Sequence, residues 1–188
     1  MKQLSMAVFM AVFMACALIA CNTATTSTEN TKDTTAATTA TEENVTYAYT
    51  PVYSGDFTIG DSKNAQTVLD IWKDFDNNTL DNHKDAFADT VSFDSYDGHS
   101  MRLARDSMTS IIKSHRSSLS ATVSSVEVVV PLKPKGKDES WVCVWGKEVD
   151  THSNNKVDSF YLNENWMFDK NGKVAYVGQY KAEAPVKK

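Results

Sequence analysis

Four runs rich in β-branched and aromatic residues crowd the last third of the chain. They read TVSSVEVVVPL (residues 122–132), SWVCVWGKEVD (140–150), VDSFYLNENWMFD (157–169) and KVAYVGQYK (173–181). Val, Trp, Tyr and Phe at this density predict strands. Only short turn-forming stretches separate them, at 134–138, at 152–156 and at Lys170-Asn171-Gly172, where the Asn-Gly step favours a hairpin. Strands joined by such short connections pair antiparallel. Their apolar face needs a cover, and helices can provide it.

The preceding residues supply it. AQTVLDIWKDFDN (65–77) sets Val68, Ile71, Trp72 and Phe75 at helical spacing, with Asp61 or Ser62 as a possible cap. Residues 83–88 suggest a short second helix. Residues 90–96 read as a strand that Gly98 breaks, and residues 101–119 as a third helix carrying Ala104, Met108, Ile111, Ile112, His115 and Leu119 on one face. Helices first and antiparallel strands last define an α+β class. Three helices against a strongly curved sheet make a cone with one open mouth.

One domain, at about 56–184, is of ordinary size with a real core. Before it, residues 22–43 are nearly half threonine and hold no large apolar side chain. Such a segment cannot offset its chain entropy by burial, so 21–55 is expected to be a disordered tether. Residues 1–20 carry Lys2 and then an uncharged apolar run, the form of a cleavable signal. Leu18-Ile19-Ala20-Cys21 resembles the bacterial lipobox. That resemblance implies cleavage before Cys21, acylation of Cys21, and a lipid anchor in the cell envelope, at the outer membrane. Two or three acyl chains hold a protein on a bilayer where one does not. With Cys16 removed and Cys21 lipidated, Cys143 stays as a lone thiol, read as a small hydrophobe. The net charge of −5 and the absence of a basic patch argue against a nucleic-acid partner.

Strand parity sorts the candidate pocket residues. Phe160, Leu162, Glu164, Trp166 and Phe168 share one face, and Trp141, Cys143 and Trp145 share another. An aromatic concave face suits a small apolar ligand, or else these rings simply fill the core. His115, on the apolar helix face, is a candidate base or a hydrogen-bonded structural histidine. His83, His99 and His152 show no ligand spacing, so no metal is expected. No phosphate loop, G-x-S-x-G or C-x-x-C is present, and no cofactor is expected.

Three segments carry a further resemblance: FDNNTLDN closing the first helix, FADTVSFD (87–94) entering the first strand, and NWMFDKNGKV (165–174) at the last hairpin. In this order, over about 60–182, they resemble the nuclear transport factor 2-like fold of ketosteroid isomerases and polyketide cyclases. The resemblance implies a cone-shaped α+β domain that hosts either a ligand-binding or partner-docking module or an isomerase- or cyclase-type enzyme. A structural domain dimerising through its sheet is a third outcome. For the enzyme, the resemblance places Asp94 (or Ser95, if the strand register shifts by one) near the catalytic base and Glu164 at an oxyanion-holding acid. Both would face a cavity lined by Trp72, Trp141 or Trp145, and Trp166. The donor tyrosine that the resemblance implies on the first helix is missing, since DIWKDF has Ile71 and Trp72 there. The binding module is therefore the favoured reading.

Overall fold

Asp61 starts the first helix by accepting a hydrogen bond from the Lys63 backbone N–H at 2.9 Å. That helix, α1 (Ser62–Asn77), ends at Asn78. Asn78 has φ 58°, and its N–H turns back to the carbonyls of Asp74 and Phe75. The turn that follows is tied to Asp74, which accepts from the Thr79 hydroxyl at 2.8 Å and lies 2.6 Å from His83 Nδ1. A 3-10 turn (Leu80–Ala86) then leads into β2 (Phe87–Asp94).

The computed structural model describes residues 46–184. The other elements are β1 (Phe57–Ile59), β3 (Ser100–Ala104), α2 (Arg105–Ser117), β4 (Leu119–Pro134), β5 (Ser140–His152), β6 (Val157–Phe168) and β7 (Val174–Glu183). The expected signal segment, Cys21 and the whole threonine-rich stretch lie outside the described residues. Within the stretch expected to be tether, Tyr53 is fixed: its hydroxyl donates to Glu139 at 2.6 Å and accepts from Trp141 Nε1 at 2.8 Å.

All seven strands form one sheet in the order β1-β4-β5-β6-β7-β2-β3. The expectation of a purely antiparallel sheet needs one correction, because β2 runs parallel to β7. β7 must oppose β6 across its tight hairpin, and β2 enters from the helical layer in that same direction. A second correction concerns residues 101–104. They form β3, in register with β2 from Thr90↔Ala104 to Asp94↔Ser100, and not the start of a helix. Pairing to an open strand edge overrides the helical propensity of M-R-L-A.

Register breaks between Val126 and Val128, and between Met167 and Phe168, bend the long strands around the helices. The inner face of β6 is the one that parity predicts, with Phe160, Leu162, Glu164, Trp166 and Phe168 all buried. Opposite it on β5 lie Val142, Val144, Gly146 and Glu148. Burying Phe87, Val142, Val144 and Phe168 contributes roughly 1.5–3 kcal/mol each. Gly146 is required by close approach: a Cβ there would sit 2.8 Å from the Trp72 ring and 2.6 Å from the Ser125 carbonyl oxygen. Arg116 locks the two helices to the sheet. Its buried guanidinium donates to the carbonyls of Phe75 at 2.8 Å, Asp76 at 2.9 Å and Leu119 at 3.0 Å.

Candidate functional site

The inner face of the sheet and the two helices enclose a cavity of about 570 Å³. Ile71, Trp72 and Phe75 come from α1, Met108 and Ile112 from α2, and Leu162 and Trp166 from β6. Apolar side chains dominate because each element presents its core stripe here. Polar groups enter from β5 and β7, where Glu148, Asp150, Gln179 and Lys181 share the inward parity.

Glu164 lies at the buried end of this set. Its carboxylate accepts from Trp72 Nε1 at 2.7 Å, Trp166 Nε1 at 2.9 Å and Gln179 Nε2 at 2.7 Å. Burial raises its pKa, and the three N–H donors pull the other way. Three of the residues singled out in the sequence, Trp72, Glu164 and Trp166, thus form one hydrogen-bonded unit. With every donor spent on Glu164, Trp72 has its indole N–H engaged, and Glu164 is a satisfied structural acid.

The other sequence-predicted residues fall elsewhere. Trp141, Cys143 and Trp145 point to the outer face of β5, and so lie outside the cone. Trp141 packs edge-on against Tyr53 and Tyr176, Trp145 is 41 % exposed, and burial alone pushes the Cys143 thiol up. Asp94 is also on the outer face. Its carboxylate is bonded by the Ser100 and Tyr176 hydroxyls, which hold it below the usual aspartate range. Asp94 and Glu164 therefore stand on opposite sides of the sheet, which removes them as a catalytic pair. The expectation failed because, past the irregularity in β2, residues 90–94 alternate: Val91 and Phe93 take the inner face, which leaves Ser92 and Asp94 outside. His115 lines the cavity at an exposed position, its ring 6.2 Å from that of Phe75.

The outer groove beside Trp141 and Tyr176 is a little larger, about 650 Å³, but it is more open. The cone is the better site, because it combines enclosure with buried acids. Among the described residues, no three His, Cys, Asp or Glu side chains converge to hold a metal ion.

Glu148 is the group that sequence reasoning missed. It is 9 % exposed and faces the cavity, and its carboxyl is pushed up to about 8. Burial is the largest cause, followed by the negative charges of Asp150, Glu164 and Asp76, with Lys181 acting in the opposite sense. The alternation Val142-x-Val144-x-Gly146-x-Glu148-x-Asp150 carried the signal, since it puts both acids on the valine face. A stability effect follows. The folded state holds the Glu148 proton more tightly than the unfolded chain does, where a glutamate titrates near 4.5. The contribution is complete below that pH and is lost as pH rises towards about 8. Glu148→Gln is expected to flatten this loss and to exceed the wild type at pH 9 by on the order of 3 kcal/mol in urea unfolding. Equal slopes for the two proteins between pH 5 and 9 would refute the assignment.

No protein-family model matches the chain, and no curated protein matches its sequence. Solved structures do match. An NTF2-like protein of unknown function from Exiguobacterium sp. 255-15 aligns with a TM-score of 0.51 at 13 % identity, covering 63 % of this chain and 99 % of that one. A second NTF2-like protein of unknown function, from Burkholderia pseudomallei K96243, gives 0.51 at 17 % identity over 65 % and 92 %. An LEH-like epoxide hydrolase from M. tuberculosis gives 0.52 at 8 % identity over 64 % and 84 %. Their shared architecture and the closed helix-and-sheet cone lead to one statement: the chain has the nuclear transport factor 2-like α+β fold.

Proposed function

We propose that this chain is an exported lipoprotein, anchored in the cell envelope through acylated Cys21, whose cone binds a small apolar ligand. The observation that carries the binding reading is the cavity itself: about 570 Å³, with an apolar wall of Trp72, Phe75, Met108, Leu162 and Trp166. The anchor rests on Leu18-Ile19-Ala20-Cys21. The outer sheet face, where Val123, Trp145, Tyr161 and Tyr180 are exposed, is the surface through which two copies would pair.

Two measurements test the proposal. Nile red, a neutral apolar dye, is expected to brighten on adding the protein and to be displaced by n-decanol. Ser124→Trp, which fills the cone from β4, is expected to abolish both effects while the fold survives. Dye binding unchanged in Ser124→Trp would sink the pocket reading. For the anchor, Cys21→Ala is expected to move the protein from the membrane to the soluble fraction, and continued sedimentation with membranes would refute acylation at Cys21.

A second reading is an enzyme of isomerase, cyclase or hydrolase type, and one observation favours it. The cone does contain two neighbouring carboxylates, Glu148 and Asp150, although not the pair expected from the sequence. Asp150 accepts from the Thr122 hydroxyl at 2.8 Å, whereas Glu148 carries its proton at neutral pH. One acid and one base would then face the same cavity.

A further inference from the structure

Three features of the cone point beyond a plain apolar pocket. The first is Glu148. It is nine-tenths buried and faces the cavity; its side chain makes no hydrogen bond or ion pair among the described residues, and its carboxyl oxygens keep contact with the open cavity. A buried carboxyl with no partner is costly unless something else meets it. The second is the sign of the surrounding charge. Asp150 from the same strand, Glu164 from β6 and Asp76 from α1 all bear on Glu148, against the single cation Lys181 from β7. The side chain of Asp76 is 7 % exposed; its Oδ2 lies 3.7 Å from Lys73 Nζ and accepts from the Ser124 N–H at 3.3 Å, while its Oδ1 has no partner. At the rim, His152 is paired with Asp158, 2.7 Å away, so it does not neutralise the interior. The third is how the cone treats the one ammonium it holds. Lys181 Nζ sits 3.4 Å from the centroid of the Phe160 ring and 4.7 Å from that of Tyr96. Ring faces attract cations, more strongly where water is excluded. The chain's own lysine thus shows that this wall accommodates an ammonium.

We infer that the ligand of the cone is an apolar amine: an alkyl or aryl group lying against Trp72, Phe75 and Leu162, with a protonated nitrogen that ion-pairs with Glu148. The inference rests on the apolar-pocket reading above and names its ligand class. An uncharged ligand leaves Glu148 buried and unpaired. A carboxylate ligand would meet the negative charge of Asp150 beside Glu148 and leave the Glu148 carboxyl without a counter-charge. An ammonium satisfies Glu148 and relieves the repulsion among these acids. The binding step balances simply. Below pH 8 Glu148 enters as the neutral acid, the ammonium keeps its own proton, and Glu148 releases one proton to the buffer as the pair forms.

Isothermal titration of the mature chain, residues 21–188 with Cys21→Ser to keep it free of lipid, tests this with n-decylamine, n-decanol and decanoate below their aggregation concentrations. The expected order is amine tighter than alcohol by at least tenfold, with decanoate weakest. The amine's enthalpy at pH 7 should depend on buffer ionisation enthalpy with a slope near one released proton. Glu148→Gln should bring the amine down to the affinity that decanol has for the same variant and abolish the proton release. If amine and alcohol bind equally, or if decanoate binds best, the amine inference fails while the apolar pocket stands. If none of the three binds, the pocket reading fails with it.

Discussion

Glu164→Ala is expected to unfold most of the domain's stability margin. The substitution strips the acceptor from Trp72 Nε1–H, Trp166 Nε1–H and Gln179 Nε2–H at once. A buried donor left unpaired costs about 1–3 kcal/mol, and the truncated side chain adds a cavity. The combined loss should be about 5 kcal/mol, against a total of roughly 5–15 kcal/mol for a domain of this size. Urea unfolding followed by tryptophan emission and by far-UV circular dichroism reads this directly, with a Tm fall of roughly 15 °C or more. Glu164→Gln separates the hydrogen bonds from the charge. Its amide oxygen can still serve one side of the network, so about half the loss is expected. A loss below about 1 kcal/mol for Glu164→Ala would mean that these three donors find other partners.

Arg116→Ala should come next in size. Three carbonyls at the junction of α1, α2 and β4 lose a charged donor together, each such bond contributing about 1.5–3 kcal/mol. The expected cost is about 4 kcal/mol. Arg116→Lys should recover less than half of it, because one ammonium cannot span carbonyls that a planar fork reaches in different directions. Loss of this clamp also frees α2 from α1, so Nile red bound in the cone should exchange faster in Arg116→Lys than in the wild type. A lysine variant as stable as the wild type would show that packing, and not the fork geometry, holds the junction.

The sequence carried the layered plan because its patterns there are local. The four long strands, their turns and the capped first helix follow from residue types within short windows, as Asp61 and the Lys170-Asn171-Gly172 turn illustrate. At Gly172 φ is 71°, the conformation that such a turn demands. The inward face of β6 was also legible, since Phe160, Leu162, Trp166 and Phe168 alternate without ambiguity. β5 was not. It bears Trp141 and Trp145 on one side and Val142 and Val144 on the other, and bulk suggested the wrong side as the interior. The interior there is small because Trp72 from α1 already fills the space above Gly146. That fact belongs to a contact between distant segments, and no window on β5 contains it. The same holds for Asp94, whose side of the sheet depends on pairing with β3 and β7. Arg116 gave no sign either, because its carbonyl partners on α1 lie 40 and 41 positions away.

The parallel seam between β2 and β7 has a kinetic consequence. The Tyr176–Asp94 hydrogen bond across it joins residues 82 apart in sequence, and the strand hairpin β2–β3 meets the rest of the sheet only there. Forming the seam closes a long loop whose entropy cost comes before any reward. Domains dominated by such distant pairings fold in milliseconds to seconds, far more slowly than helical ones. During synthesis the wait is longer still. β2 and β3 emerge early, yet the strand they join, β7, is the last of the described strands to be made. Until Glu183 has emerged, the apolar edge of β2 has no legitimate partner and is open to mispairing with another chain. The C-terminal strand therefore acts as the final stitch of the cone, and truncations that remove it should be aggregation-prone out of proportion to their length.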